Sequence, residues 1–308
     1  MINSNKLLVA ILALALTIPA FAQTITRDLM VFYTSQWEGE RFPDGRPKVP
    51  DEILTRMEKV SIEEAWGVLR GEGYHNQFEG GWKMLYADKA IVGRALTALY
   101  MPNRPDVNDA IMAKGQDDGR IGSPNSWPID MLSTGDVYVA DAFGKIVDGT
   151  MIGDNLGNAI FAKSGNGVIF NSSSRDMDGL LKIDGFNAFV RDWHPSYLKE
   201  VMLLGLNVPI RMGAATVLPG DIVLAKGEGV IFIPAHLAAK VVETAELVML
   251  RDQFGIQRLK EGKYSPGEID SRWSDEIEKD FSQWLSDHQD DLPVPKEQIQ
   301  ELLKSRTW

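Results

Sequence analysis

The stretch Gly153-Asp154-Asn155-Leu156-Gly157-Asn158-Ala159, followed by Gly167-Val168-Ile169-Phe170 and then Ser174-Arg175-Asp176, organises the reading of this 308-residue chain. Residues 155–163 fit a helix that Gly165 stops, and residues 167–170 fit a buried strand. An acid thus stands at a helix mouth, and an Arg-Asp pair stands 21 and 22 positions further on, just past a strand end. Ligands collect at strand ends in open α/β sheets. The free amides of Asn155, Leu156 and Gly157 favour an anion such as a carboxylate. Asp176 can give one oxygen to a hard divalent cation, with waters completing the octahedron. Arg175 offers a planar cation for an enolate or carboxylate oxygen. The plainer reading makes Asp154 a helix cap and Arg175-Asp176 a surface ion pair. It accounts for each element alone, but not for their coincidence.

Outward from this stretch, strands and helices mix. Pro50 opens a helix with Ile53, Leu54 and Met57. Ser61, with Glu64 three residues on, is a capping box for a second helix that Gly71 and Gly73 stop. Residues 91–100 read as a strand ended by Pro102, and residues 103–128 as loops around a short helix. Gly135-Asp136 leads into Val137-Tyr138-Val139-Ala140-Asp141, a buried strand ending on an acid. Further strands at 208–212, 221–225 and 229–233 are separated by Pro-Gly and Gly-Glu-Gly turns, and a helix at 236–254 closes the pattern. Some strands lie at hairpin spacing, so a mixed-sheet α/β domain is expected rather than a purely parallel one.

Residues 1–22 read as a cleaved secretory signal: Lys6, a short apolar run, and Ala20-Phe21-Ala22 as the cleavage site. The expected location is therefore periplasmic or secreted, with no membrane partner after cleavage. Residues 23–49 form an N-terminal arm without clear periodicity, residues 50–254 the domain, and residues 255–308 an acidic helical extension. In that extension Ser265-Pro266-Gly267-Glu268 is a second capping box. Ile269, Trp273, Ile277, Phe281, Trp284 and Leu285 follow at helical spacing, an apolar stripe expected to pack on the chain's own domain or a neighbouring subunit. Pro293 and Pro295 break the helix before a last short one.

Composition excludes several functions. With no Cys there is no disulfide, thiol nucleophile or thiolate metal site. A net charge of −11, of which −6 comes from residues 264–308, argues against nucleic acid as partner. His75, His194, His236 and His288 have no zinc-ligand spacing. Among them His194 is expected to make a loop hydrogen bond, with pocket lining as the alternative.

Residues 153–180 resemble the RraA-like family, which includes regulators of ribonuclease activity and class II 4-hydroxy-4-methyl-2-oxoglutarate aldolases. The spacing from Asp154 to Arg175-Asp176 is similar to that of the aldolase branch. Residues 61–69, 91–99, 135–141, 217–223 and 229–234 resemble the family's other elements in order, so the likeness spans about residues 53–246. The resemblance implies a swivelling β/β/α domain with a mixed sheet, and a homotrimer or homohexamer. It also implies residue roles. Asp176 would ligate Mg²⁺ or Mn²⁺ directly, and Asp154 would hold a metal-bound water. Arg175 would polarise the substrate's oxo oxygen, and the amides of Asn155 and Leu156 would take the pyruvyl carboxylate. Two departures stand out. The aldolase pattern has an acid three residues after the Asp, where Gly179 stands here, and Ser172-Ser173-Ser174 replaces a smaller Gly/Ala-rich turn.

The expected function is metal-dependent cleavage of a carbon–carbon bond in a 2-oxo acid, by retro-aldol reaction or decarboxylation through a pyruvate enolate. Two alternatives stay open: a binding or regulatory protein that keeps the fold without the chemistry, and metal-assisted chemistry on a sugar-derived acid.

Overall fold

The computed structural model describes residues 23–292 and 294–305; the expected signal and the Pro293 break lie outside them. In chain order the elements begin with helices α1 (Arg27–Tyr33), α2 (Asp51–Met57) and α3 (Ile62–Gly71). Two short strands, β1 (Phe78–Glu79) and β2 (Lys83–Met84), precede the long β3 (Ile91–Pro102). Helices α4 (Pro105–Asp117) and α5 (Trp127–Asp130) lead to β4 (Asp136–Thr150), α6 (Asp154–Ser164), β5 (Val168–Ser174) and the single turn α7 (Met177–Leu180). Then come β6 (Ala188–Trp193), β7 (Val201–Leu206), β8 (Ile210–Met212), β9 (Ala215–Val217), β10 (Ile222–Lys226) and β11 (Gly229–Ile233). Helices α8 (Ala238–Lys260), α9 (Pro266–Ile269), α10 (Asp275–Asp287) and α11 (Lys296–Ser305) complete the chain.

The expected mixed sheet is present. Its order is β1-β11-β10-β3-β4-β5-β6-β2, with β7 also on β3. Strands β3 to β6 run parallel, and the flanking strands pair antiparallel. Successive side chains of a strand point to opposite faces. Tyr138 and Ala140 accordingly join one core with Phe170 and Ile160, while Val137 and Val139 join another with Ile169 and Phe189. Helices α2, α3 and α8 cover β10 and β11 through Leu54, Met57, Leu69, Val241 and Val242. The Ser61–Glu64 capping box starts α3 as expected.

Several local expectations are corrected. The arm contains the helix α1, capped by Thr26, whose Oγ1 accepts from Leu29 N at 3.2 Å. Seven residues with one buried side chain, Met30, are too few to show a stripe. Strand β4 does not end at Asp141 but bends through Phe143 and Asp148, both at positive φ, to Thr150. Ser172-Ser173-Ser174 is not a turn: it is the second half of β5, buried, and Ser173 Oγ donates to Ile146 O of the prolonged β4 at 2.7 Å. The helix at 236–254 begins with a 3-10 turn and runs on to Lys260, so positions 254 and 255 share one helix. The capping box at Ser265 opens only the four-residue α9, and Ser274 caps a separate α10. The apolar stripe packs on the chain itself: Trp273, Ile277, Phe281 and Trp284 lie against Leu250 and Phe254 of α8.

One buried acid gives the fold a pH signature. Asp221 ends the Pro219-Gly220 turn before β10, and its Oδ2 accepts from Leu218 N at 2.8 Å. Burial raises its pKa from 3.8 to about 7, against the lowering effect of that hydrogen bond and one from the Ala235 backbone. Between these values the folded chain keeps a proton that the unfolded chain releases. The contribution is therefore complete below pH 3.8 and is lost as pH rises through about 7. The expected slope is at most about 1.4 kcal/mol per pH unit. Asp221→Asn should remove that part of the pH dependence, and denaturant melts of both proteins at pH 5 and pH 8 check it.

Candidate functional site

Two long-range backbone bonds assemble the site. Met151 N donates to Ser173 O at 2.9 Å and Arg175 N donates to Ile152 O at 3.1 Å, so the end of β5 is tied to the segment entering α6. Gly153 and Asp154 are thereby set beside Arg175 and Asp176. Gly153 is the N-cap and Asp154 the first helical residue. Asp176 holds a left-handed conformation at φ 56°, which Asp tolerates better than most residues. Its carboxylate lies over Gly153: a Cβ there would come within 2.2 Å of Asp176 Oδ2. Glycine at 153 is a requirement of this close approach.

Arg175 Nε is 3.3 Å from Asp176 Oδ2, and its guanidinium lies 4.6 Å from the Tyr197 ring centroid. Its Nη1 donates to Ser196 O at 3.5 Å. Stacking and ion pairing together hold the guanidinium plane. Asp154, Asn155, Leu156, Arg175 and Asp176 all line one cavity of about 540 Å³. All five predicted site residues are thus brought together. A second cavity of about 520 Å³, walled by Met177, Trp193, His194 and Pro195, shares Arg175, Asp176 and Tyr197 with the first.

The helix-mouth amides differ from expectation. Gly157 N already donates to Gly153 O at 3.0 Å, and Asn155 N donates to Asp154 Oδ1 at 2.8 Å. Leu156 N precedes the first helical bond and is left to face an anion. His194 makes the expected loop bond, Nδ1 accepting from Ser196 N at 3.2 Å, and also lines the second cavity. Tyr197 reaches the site because the loop after β6 carries it back over Arg175.

Gly179 has a structural reason. A Cβ at 179 would lie 2.6 Å from Asp154 Cβ and 2.7 Å from its Oδ2, so an acid cannot stand there while Asp154 keeps its place. Gly179→Ala should displace Asp154 and lower turnover by about tenfold or more, since small misplacements at a reacting centre are costly. An activity assay beside a thermal melt separates this from general destabilisation.

Asp154 and Asp176 are the carboxylates facing the first cavity. Among the described residues no group of three or more His, Cys, Asp or Glu could hold a metal ion. Two carboxylates fit a hard cation that keeps most of its waters, as Mg²⁺ does, rather than a protein-caged one.

A mixed α/β domain with its polar site at the β5 and α6 ends defines the class. The Aldolase/RraA family profile matches residues 60–232, more than half of the chain, and the chain belongs to that family. The family takes in aldolases and inhibitors of RNases. An uncharacterized protein from Pseudomonas syringae pv. tomato is 22% identical with a TM-score of 0.59, over 73% of this chain and 96% of that one. Streptomyces coelicolor RraAS2, an unusual member of the RNase ES inhibitor RraA family, is 25% identical with a TM-score of 0.58, over 68% of this chain and 100% of that one.

Proposed function

We propose that this chain is an exported, divalent-cation-dependent lyase that cleaves a carbon–carbon bond of a 2-oxo acid and releases pyruvate. The observation that carries the reading is the meeting of Asp154, Arg175 and Asp176 in one cavity, held by backbone bonds between β5 and the α6 entry. Asp176 and Asp154 would hold Mg²⁺ or Mn²⁺, which supplies Lewis-acid stabilisation of the developing enolate. Arg175 is the catalytic cation. Its free edge binds the 2-oxo oxygen, and its charge stabilises the enolate as the bond breaks. Leu156 N, at the positive end of α6, takes the substrate carboxylate, and the Asn155 amide joins it once Asp154 turns toward the cation. In retro-aldol cleavage the 4-hydroxyl loses its proton, the C3–C4 bond breaks, C4 becomes a carbonyl, and C3 takes up a proton to give pyruvate. We further propose that residues 1–22 direct export to the periplasm or beyond, and that the protein works as a homotrimer or homohexamer.

A second reading draws on the Asn155 amide already being occupied by Asp154: a binding protein of the same fold, without turnover. The discriminating experiment incubates protein from Gln23 onward with oxaloacetate and Mg²⁺ or Mn²⁺ and follows pyruvate. Release above the protein-free control, abolished by EDTA and by Asp176→Ala, supports the lyase. Cation binding without release favours the binding protein.

A further inference from the structure

We propose that Thr150 is a positioning residue: hydroxyls linked through it fix the loop of residues 194–199, and that loop holds the Arg175 guanidinium at the 2-oxo oxygen. This role rests on the reading of Arg175 given above. It also gives the serine run at the end of β5 a part in the site. Arg175 meets the loop twice, its Nη1 donating to Ser196 O at 3.5 Å and its guanidinium lying 4.6 Å from the Tyr197 ring centroid. Tyr197 is 61% exposed, so these contacts fix a plane only if the loop backbone is itself held.

The end of β4 holds it. Lys199 N donates to Asp148 O at 2.8 Å, Thr150 N donates to Tyr197 O at 3.4 Å, and Gly149 forms an antiparallel bridge with Leu198. The start of the loop is tied to β5, where His194 N donates to Ser174 O at 2.9 Å. Side chains join the three segments. Asp148 N donates to Ser196 Oγ at 2.8 Å. Thr150 Oγ1 lies 3.2 Å from Ser196 Oγ, 3.1 Å from His194 O and 3.1 Å from Ser173 Oγ. Thr150 is only 4% exposed and Ser173 is wholly buried, so water does not stand in for these partners.

The supply of hydrogens gives the cluster a direction. Each hydroxyl carries one. Ser173 spends its own on Ile146 O at 2.7 Å, so toward Thr150 it only accepts. Ser196 Oγ accepts from Asp148 N, and its hydrogen has Thr150 Oγ1 as partner. Thr150 therefore accepts from Ser196 and gives its hydrogen to His194 O and Ser173 Oγ. Glycine or alanine at 173 would end β5 without that acceptor. Valine at 150 keeps the shape but leaves the Ser196 hydroxyl and the His194 carbonyl facing a methyl group. A loop so released lets the guanidinium drift, and stabilisation of charge on an enolate oxygen is sensitive to such drift.

The test pairs calorimetry with turnover on the full mature chain, using Mg²⁺ alone, oxalate with Mg²⁺ present, and oxaloacetate. Oxalate matches the pyruvate enolate in shape and charge, so its affinity reports the placement of Arg175 without turnover. Thr150→Val should weaken oxalate and lower kcat by about tenfold or more, with KM for oxaloacetate and Mg²⁺ affinity within about threefold of the unaltered protein. Thr150→Ser keeps the hydroxyl and should restore both to within about threefold. Ser196→Ala, at a partly exposed position, keeps the Ser196 carbonyl and should give the same pattern. It decides the matter if Thr150→Val does not fold. The double variant should lose no more than the worse single, because both break one network. Oxalate affinity and kcat unchanged in both variants, an equal loss in Thr150→Ser, or a parallel loss of Mg²⁺ affinity overturns the role of Thr150 and spares the lyase reading. Failure of the unaltered protein to bind oxalate with Mg²⁺ present overturns both.

Discussion

Asp176→Asn is expected to lower cation-dependent pyruvate release by about a hundred- to a thousandfold without a measurable change in melting temperature. The substitution removes the charge and keeps the size. Asn also tolerates the left-handed backbone that Asp176 adopts at φ 56°. The magnitude follows from what one preorganised electrostatic group contributes where charge develops in a transition state. Asp176→Ala should abolish activity as completely, but with an added cost of about 1–2 kcal/mol, because a Cβ without a compensating polar group is strained in that conformation. Its melting temperature should therefore fall where that of Asp176→Asn does not. Comparing the two by coupled pyruvate assay and thermal melt separates loss of chemistry from loss of fold. Turnover within threefold of the unaltered protein in the Asn variant would remove Asp176 from the reaction.

The parts of this site that could be read in the sequence are those in which local rules and function coincide. Gly153-Asp154 before a helix and Arg175-Asp176 after a strand are separated by one helix–strand unit, and between parallel strands such a unit returns its ends to the same carboxyl end of the sheet. Both capping boxes were legible because cap chemistry acts over three residues. What escaped depends on distant partners. The serines of β5 look like a turn until the prolonged β4 is seen to supply Ile146 O to Ser173. The meaning of Gly179 emerges only when α7 is placed against Asp154. The contact of Tyr197 with Arg175, 22 positions away, is one that no periodicity announces. The Asn155 amide looked free because a first-turn acid can turn back on its own neighbour, a choice of side-chain rotamer that the sequence does not carry.

Arg46→Ala should destabilise the protein by about 3–5 kcal/mol, the range for breaking a buried ion pair from one side. Asp136 is wholly buried at the start of β4. Its Oδ2 accepts from Arg46 Nη2 at 3.0 Å and from Ser133 N at 2.9 Å, and Arg46 Nη1 lies 3.0 Å from Oδ1. Arg46 is itself only 2% exposed and lies over the Phe42 ring at 4.4 Å. The neighbouring Arg94 offers little relief. Its Nε is 3.9 Å from Asp136 Oδ1, and its other nitrogens serve Val49 O, Asp51 and Thr134 O. Truncation at 46 thus strands a carboxylate inside the domain. It also releases the segment that carries α1, which is otherwise joined by Leu206 N to Gln23 O and by Asn207 to Asp44. Against a total stability of about 5–15 kcal/mol the loss is large, equivalent to about 10 °C in melting temperature for a chain of this size. Denaturant melts of Arg46→Ala, Asp136→Ala and the double variant decide the cause. If the stranded charge dominates, the double variant is less destabilised than the sum of the singles by about 1–3 kcal/mol. If the loss is mainly the packing of Arg46 on Phe42, the two effects add.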